Sequence, residues 1–174
     1  MRPLMLNAAA LAPHLDALLA ADHRCYPRAV DQLSRERAAL LLTAADLRLR
    51  LWFDAAGEPC GYTAIHTIAA PVLRLLQQPP LSAPDRGFVV PATAGEEAVG
   101  IYLFNYSVAA ELRRSDASRA LLAGLAEDLE AMAANLPVAA LCVSDEGVRV
   151  AARLGLRRQA RIVVGGEAET VMLR

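Results

Sequence analysis

The sequence predicts an α/β chain of the α+β type, with a mixed, partly antiparallel twisted sheet of about seven strands flanked by about four helices. Three observations predict it. Leu47-Arg-Leu-Arg-Leu-Trp-Phe53 alternates strictly, leucines on one face and arginines on the other, as a half-buried strand does. Val108 to Leu122 carries a strand through an arginine-rich turn into an apolar helix. The segments follow the order β, α, α, β, β, long loop, β, α, β, α, β, β, which a mixed sheet with helices on its faces accommodates.

Each element has its own reason. Arg2 to Leu6 is a short strand, and Pro13 opens a helix with Leu15, Leu18 and Leu19 at helical spacing. Cys25-Tyr-Pro27 breaks it, and a second helix covers Asp31 to Thr43, with Leu33, Leu40 and Leu41 inward and Arg35 and Arg37 exposed. The turn Asp54 to Gly57 joins the alternating strand to Cys60–Ile68, making a hairpin. From about residue 71 to 100 the prolines 71, 79, 80, 84 and 91 dissolve the pattern around a short strand at Phe88 to Val90. Such long connections are often lids or binding loops. Ile101–Val108 is a strand, and Ser115 to about Asn135 is a helix with Leu121, Leu122, Leu125, Leu129 and Met132 on one stripe. Val138–Val143 is a buried strand, and Ser144 caps a helix that ends at Gly155. Leu156–Val164 and Glu169–Leu173 close the chain as a hairpin around Gly165-Gly166.

At 174 residues the chain suits one domain, and 55% hydrophobic with 21% charged residues marks it as folded. A net charge of −1 gives no general attraction to nucleic acid or an acidic membrane, so any anion must be held locally. All 18 basic residues are arginine, which excludes a Schiff-base or Walker-loop lysine. Cys25, Cys60 and Cys142 have no disulfide or metal-ligand spacing, so no metal is expected. No signal-peptide core and no run of 18 apolar residues is present, and a soluble, cytoplasmic protein is expected.

The strand-to-helix turn carries the chemistry. A helix N-terminus offers about four unpaired N–H groups and roughly half a positive charge, and so suits a pyrophosphate. Arg113, Arg114 and Arg119 surround it, and Asp116 opposes them. A carboxylate about 4 Å from a phosphate costs about 1 kcal/mol in water-like surroundings and about 4 kcal/mol at an effective dielectric near 20. An acid in the first helical turn also stabilises the helix by about 0.3–1 kcal/mol, which is a purely structural account of Asp116.

The order and these local patterns resemble the GNAT superfamily of acyl-CoA-dependent N-acyltransferases over nearly the whole chain. Val108-Ala-Ala-Glu-Leu-Arg113 resembles the family's V-x-P-E-x-R lead-in, with Ala110 in place of proline. Arg113-Arg-Ser-Asp-Ala-Ser118 stands where the family has Q/R-x-x-G-x-G/A, with Asp116 in place of the first glycine. Ser144 to Leu156 resembles N-x-x-A-x-x-x-Y-x-x-x-G-F, matched mainly at Gly155, with Ala151 at the tyrosine position. The resemblance implies a single GNAT-like domain over 1–174 with a proline-rich insertion at about 71–100. It implies acetyl-CoA or another acyl-CoA as co-substrate, bound by Val108, Arg113, Arg114, Ser115, Asp116, Ala117, Ser118, Arg119 and Ser144. It also implies a small-molecule or peptide amine as acceptor, and often a homodimer.

Acyl transfer from a thioester needs a deprotonated amine, a stabilised oxyanion and a proton for the departing thiolate. Ala151 removes the family's usual tyrosine acid. Tyr102 and Tyr106, read as sharing one strand face with Asn105 on the other, are the candidate donors, and His66 is the candidate base. Glu111 serves the turn, and Cys142 is inert packing at the end of a buried strand. Two readings follow: an N-acetyltransferase, or a GNAT-like domain without catalysis that binds a ligand or protein, motivated by Asp116 and Ala151.

Overall fold

A computed structural model describes residues 3–133 and 135–174. Its strands are β1 (Leu4–Leu6), β2 (Leu47–Phe53), β3 (Pro59–Ile68), β4 (Ser82–Ala83), β5 (Gly100–Val108), β6 (Val138–Cys142), β7 (Arg157–Val164) and β8 (Glu167–Leu173). The helices are α1 (Ala8–Leu11), α2 (Leu15–Cys25), α3 (Arg35–Leu40), α4 (Ala70–Gln77), α5 (Asp116–Ala133) and α6 (Asp145–Arg153). The strands form one sheet in the order β1-β2-β3-β5-β6-β8-β7-β4. β5 runs parallel to β6, and β4 to β7; the other neighbours are antiparallel. This is the mixed sheet the sequence predicts. Arg2, placed in the first strand by sequence, lies outside the described residues. No described helix is long and apolar enough to cross a membrane.

Alternation decides the two faces. The leucines of β2 meet Leu11 and Leu18 of the N-terminal helices and Leu41 just beyond α3. Val72 and Leu76 of α4 pack beside them on Ile68, Tyr102 and Val171. On the opposite face Leu125 and Leu129 of α5 and Val148 and Ala151 of α6 cover Ile65, Ile101 and Leu103. Each such leucine contributes about 1.5–3 kcal/mol by burial, so both layers hold the sheet.

The β2 arginines fix α5. Arg50 bonds Asp128 through Nε at 2.6 Å and Nη2 at 2.9 Å, a two-point fork that sets the rotation of the helix. Gly124 is where the guanidinium crosses the helix, and a Cβ there would overlap it.

Three expectations change. The region 71–100 is not patternless, because Pro71 sits in the first turn of α4, where its missing N–H costs nothing, and Val72, Leu73 and Leu76 form a buried stripe. The extra strand is Ser82–Ala83 on β7, whereas Phe88 ends a 3-10 turn over Arg86–Phe88. The helix expected over Asp31 to Thr43 begins, as α3, at Arg35, capped by Ser34 Oγ, which accepts from the Arg37 N–H at 3.2 Å. That start places Arg37 partly in the interior rather than in solvent.

Asp128→Ala leaves the largely buried Arg50 guanidinium without its fork and is expected to cost about 3 kcal/mol in urea unfolding. Combining it with Arg50→Met is expected to restore most of the loss.

Candidate functional site

β5 and β6 part company half-way along the sheet. They pair only over Ile101–Leu103 and Val138–Ala140, yet β5 runs on to Val108 and β6 to Cys142. The cause lies on the other edge of β5. Ala64 faces Asn105 while Ile65 faces Leu103, so Phe104 is an extra residue in a β-bulge. A bulge bends its strand and increases the local twist, which carries β5 away from β6. Beyond Leu103 the β6-facing edge of β5 has no partner strand among the described residues, which leaves its outward N–H and C=O groups without ladder bonds.

The bulge also reassigns side chains. Tyr102 packs on the α4 face, and Asn105 accepts a 2.9 Å bond from the Tyr26 hydroxyl beyond α2. Tyr106 lies on the α5 face and donates to the Ser118 carbonyl at 3.0 Å. Tyr102 and Tyr106 therefore do not share a face, because the extra residue shifts the two-residue period between them. Burial pushes both phenols above their ordinary range.

His66 is fully buried beside Tyr102 and Phe104, with ring centroids 5.4 and 6.0 Å away. Its Nδ1 lies 2.9 Å from the Thr67 carbonyl, which can only accept, so the proton is assigned to Nδ1 and Nε2 presents a lone pair. Nε2 has no partner among the described residues. Burial holds the imidazole at about 4, so it is neutral near pH 7.

Val108 and Ala109 anchor the turn after β5 against Trp52, Cys60 and Leu121. Arg114 takes the left-handed conformation at φ 63°, and Ser115 caps α5 by accepting from Ser118 N at 3.3 Å. Ser118 Oγ is turned inward onto the Ser115 carbonyl at 3.0 Å. The N–H groups of Asp116 and Ala117 precede the first bond of the helix and point out of its end. Asp116 is 95% exposed and pairs with Arg119, while Arg113 and Arg114 stand exposed beside it. Glu111 bonds Arg24, which also holds Asp54 at 2.8 Å, so this acid ties the turn to α2 and the β2–β3 hairpin.

Ser144 is drawn into capping α6, its Oγ accepting from Gly147 N at 3.1 Å. Ala151 is fully buried on the sheet, and no hydroxyl of α6 stands at that position. Burial pushes the Cys142 thiol up to about 11, which leaves it unreactive near neutral pH. Two shallow surface hollows, one bounded by Met5, Arg48 and Asp128 and the other by His23, Gln32 and Arg35, lie outside this opening.

No family model matches the chain, and no curated protein matches it in sequence. Solved structures do. The GphF GNAT-like decarboxylase in complex with isobutyryl-CoA aligns with a TM-score of 0.69 at 16% identity, over 100% of this chain and 98% of that one. The chain has the GNAT fold. The loading GNATL domain of CurA from Lyngbya majuscula aligns at 0.68 and 11% identity, over 99% and 97% of the two chains. An acyl-CoA N-acyltransferase from Pseudomonas aeruginosa aligns at 0.64 and 13% identity, over 100% and 99%.

Within this GNAT fold, the hexapeptide Arg113–Ser118 stands at the end of the β5 edge, and His66 and Tyr102 stand at its start. Sequence reasoning missed Phe104, Arg37 and the Arg86–Glu169 pair, whose carboxylate is buried and bonded at 2.6 Å. Bulges leave no periodic signal, and the Arg86 and Glu169 partners are 83 residues apart.

His66 makes stability depend on pH. Its folded value, about 4, lies below its ordinary 6.5, so the unfolded chain takes up the proton first as pH falls. The contribution is complete above about pH 6.5 and lost towards pH 4, about 3 kcal/mol in all. Unfolding measured from pH 7 to 4 is expected to show that extra slope in wild type and to lose it in His66→Gln.

Proposed function

We propose that the chain is an acyl-CoA-dependent N-acyltransferase, moving an acetyl or other acyl group to a primary amine of a small molecule or peptide. One observation carries this reading: the unpaired edge of β5 leads directly into a helix N-terminus flanked by Arg113, Arg114 and Arg119. The pantetheine arm of coenzyme A carries two amides and can hydrogen-bond along a strand edge as a peptide does. Residues 104–108 offer roughly 15 Å of edge at about 3.3 Å per residue. The pyrophosphate then meets the N–H groups of Asp116 and Ala117 and the positive end of the α5 dipole.

The thioester carbonyl lies at the start of that edge, where backbone N–H groups beside the bulge stabilise the oxyanion. His66, expected as the base, is fully buried with its Nε2 closed off from solvent, so it does not reach the amine. With a value near 4 it does not hold the proton, and the amine reacts as its free base. The Tyr102 hydroxyl, beside His66, is the donor available to the leaving thiolate from this face, and the proton that the attacking nitrogen sheds restores the phenol. Tyr106 is committed to Ser118 on the opposite face.

A second reading rests on Ala151. Decarboxylation of a carboxyacyl-CoA breaks the bond between the α-carbon and the carboxylate, releases carbon dioxide and places a proton on that carbon. The thioester survives, so no acid for a thiolate is needed. GphF, with the same fold, is a GNAT-like decarboxylase. The non-catalytic alternative is less favoured, because the open edge and the basic turn are both intact.

Coenzyme A or acetyl-CoA at about 100 times its dissociation constant is expected to add about 2.7 kcal/mol, a rise in Tm of roughly 5–10 °C. No shift at millimolar ligand contradicts the proposal. Release of free thiol with acetyl-CoA and an amine supports transfer, and carbon dioxide without thiol from malonyl-CoA supports decarboxylation instead.

Asp116→Gly tests the turn. Removing the acid frees Arg119 and is expected to tighten coenzyme A binding about 2- to 5-fold, the scale of an exposed charge contact. Weaker binding in calorimetry would mean that the carboxylate belongs to the site.

A further inference from the structure

Among the described residues, Arg37, Arg48, Arg50 and Arg86 are the arginines drawn partly into the interior. Three of them face an acid. Arg48 and Arg50 reach Asp128 at 3.9 and 2.6 Å, and Arg86 reaches Glu169 at 2.6 Å. Arg37 bonds no acid among the described residues; its guanidinium carbon lies 5.6 Å from the centre of the Phe104 ring. A partly buried guanidinium without an ion pair is under-compensated, and a cation over an aromatic face recovers part of the loss.

The acid within electrostatic reach of Arg37 is Glu169, which Arg86 shares. Arg86 holds one oxygen of that carboxylate through two bonds, and its Oε2 is buried without a partner among the described residues, so one acid stands between two guanidinium groups. Tyr62 and Tyr102 also lie in reach, and Tyr62 donates its proton to Asp22 at 2.7 Å. His66, against the same Phe104 ring, has the buried Nε2 without a partner. Phe104 is the bulge residue at which β5 leaves β6. The cation without an ion pair therefore stands, through Phe104, beside the point where β5 leaves β6 and where the acyl group would lie.

We propose that Arg37 anchors a substrate carboxylate at the front of the β5–β6 opening. The inference rests on the acyl-CoA reading above and narrows it to substrates with a carboxylate near the reacting carbonyl. A guanidinium offers two parallel donors that match a carboxylate, and the Phe104 ring below keeps it oriented. The carboxylate belongs either to the acceptor, as in an amino acid, or to the acyl chain, as in a malonyl thioester. Both present the same group to the same fork.

The test uses matched pairs on the wild-type chain and on Arg37→Gln and Arg37→Lys. Calorimetry compares malonyl-CoA with acetyl-CoA and, with coenzyme A present, L-alanine with L-alaninamide. Wild type is expected to prefer the carboxylate member of one pair by about 10- to 100-fold, the range for a charged hydrogen bond. Preference in the first pair assigns the carboxylate to the acyl chain, and in the second to the acceptor. Arg37→Gln is expected to abolish the preference while leaving acetyl-CoA affinity unchanged, and Arg37→Lys to keep part of it. No preference in either pair, or one that survives Arg37→Gln, overturns the inference.

If no coenzyme binds, the acyltransferase reading fails by itself. The subsite is then judged by free malonate against chloride at equal ionic strength. A rise in Tm in wild type but not in Arg37→Gln supports it, and equal responses overturn it. Arg37→Met checks the variants' folding: with no ion pair to lose, its Tm is expected to equal or exceed that of wild type, and a fall would show that Arg37 is a structural contact.

Discussion

One extra residue, Phe104, keeps β5 from following β6 past Leu103. A regular β5 would go on pairing with Leu141 and Cys142, and the sheet would narrow the space in which a thioester could lie. The bulge instead leaves an edge of unpaired backbone between two well-packed layers. Three further features depend on it: Tyr102 and Tyr106 fall on opposite faces, Asn105 turns towards Tyr26, and the open edge points at the N-terminus of α5. Packing on both sides of β3 keeps the bend in place, since Ile65 and Tyr62 belong to opposite layers and both are buried.

Charge is organised around that opening. With a net charge of −1 the chain attracts anions only through local arrangements. The arginines that enter the interior mostly fix architecture, Arg50 setting α5 and Arg86 joining the 71–100 segment to β8. The turn after β5 is different, because its arginines remain in solvent and Asp116, the acid between Arg114 and Arg119, is turned outward onto Arg119. That arrangement softens the apparent conflict at Asp116. Repulsion from an exposed, paired carboxylate stands near the low end of the Coulomb range, since water screens it.

The sheet and the helices of the second half were legible because their periods are long and regular. The β2 alternation, the α5 stripe and the Ser144 cap each have a local physical cause that one chain displays. α4 was hidden because its proline stands at the helix start, where it is favourable, within a stretch whose other prolines do break structure. The turn residues of the site were visible through their pattern, whereas its interior was not. A bulge is a property of two strands in register, and the Arg37–Phe104 contact joins residues from elements whose sequences carry no mark of each other. A four-residue shift in where α3 begins goes with Arg37 lying partly in the interior rather than in solvent.

Hydrogen exchange, followed by peptide with and without saturating coenzyme A, tests most directly whether the β5 edge is the coenzyme seat. Protection is expected in residues 104–108 and in the first turn of α5, with residues 101–103 and the β7–β8 hairpin unchanged. Bound coenzyme that protects other segments and leaves 104–108 exchanging at its original rate would contradict the account.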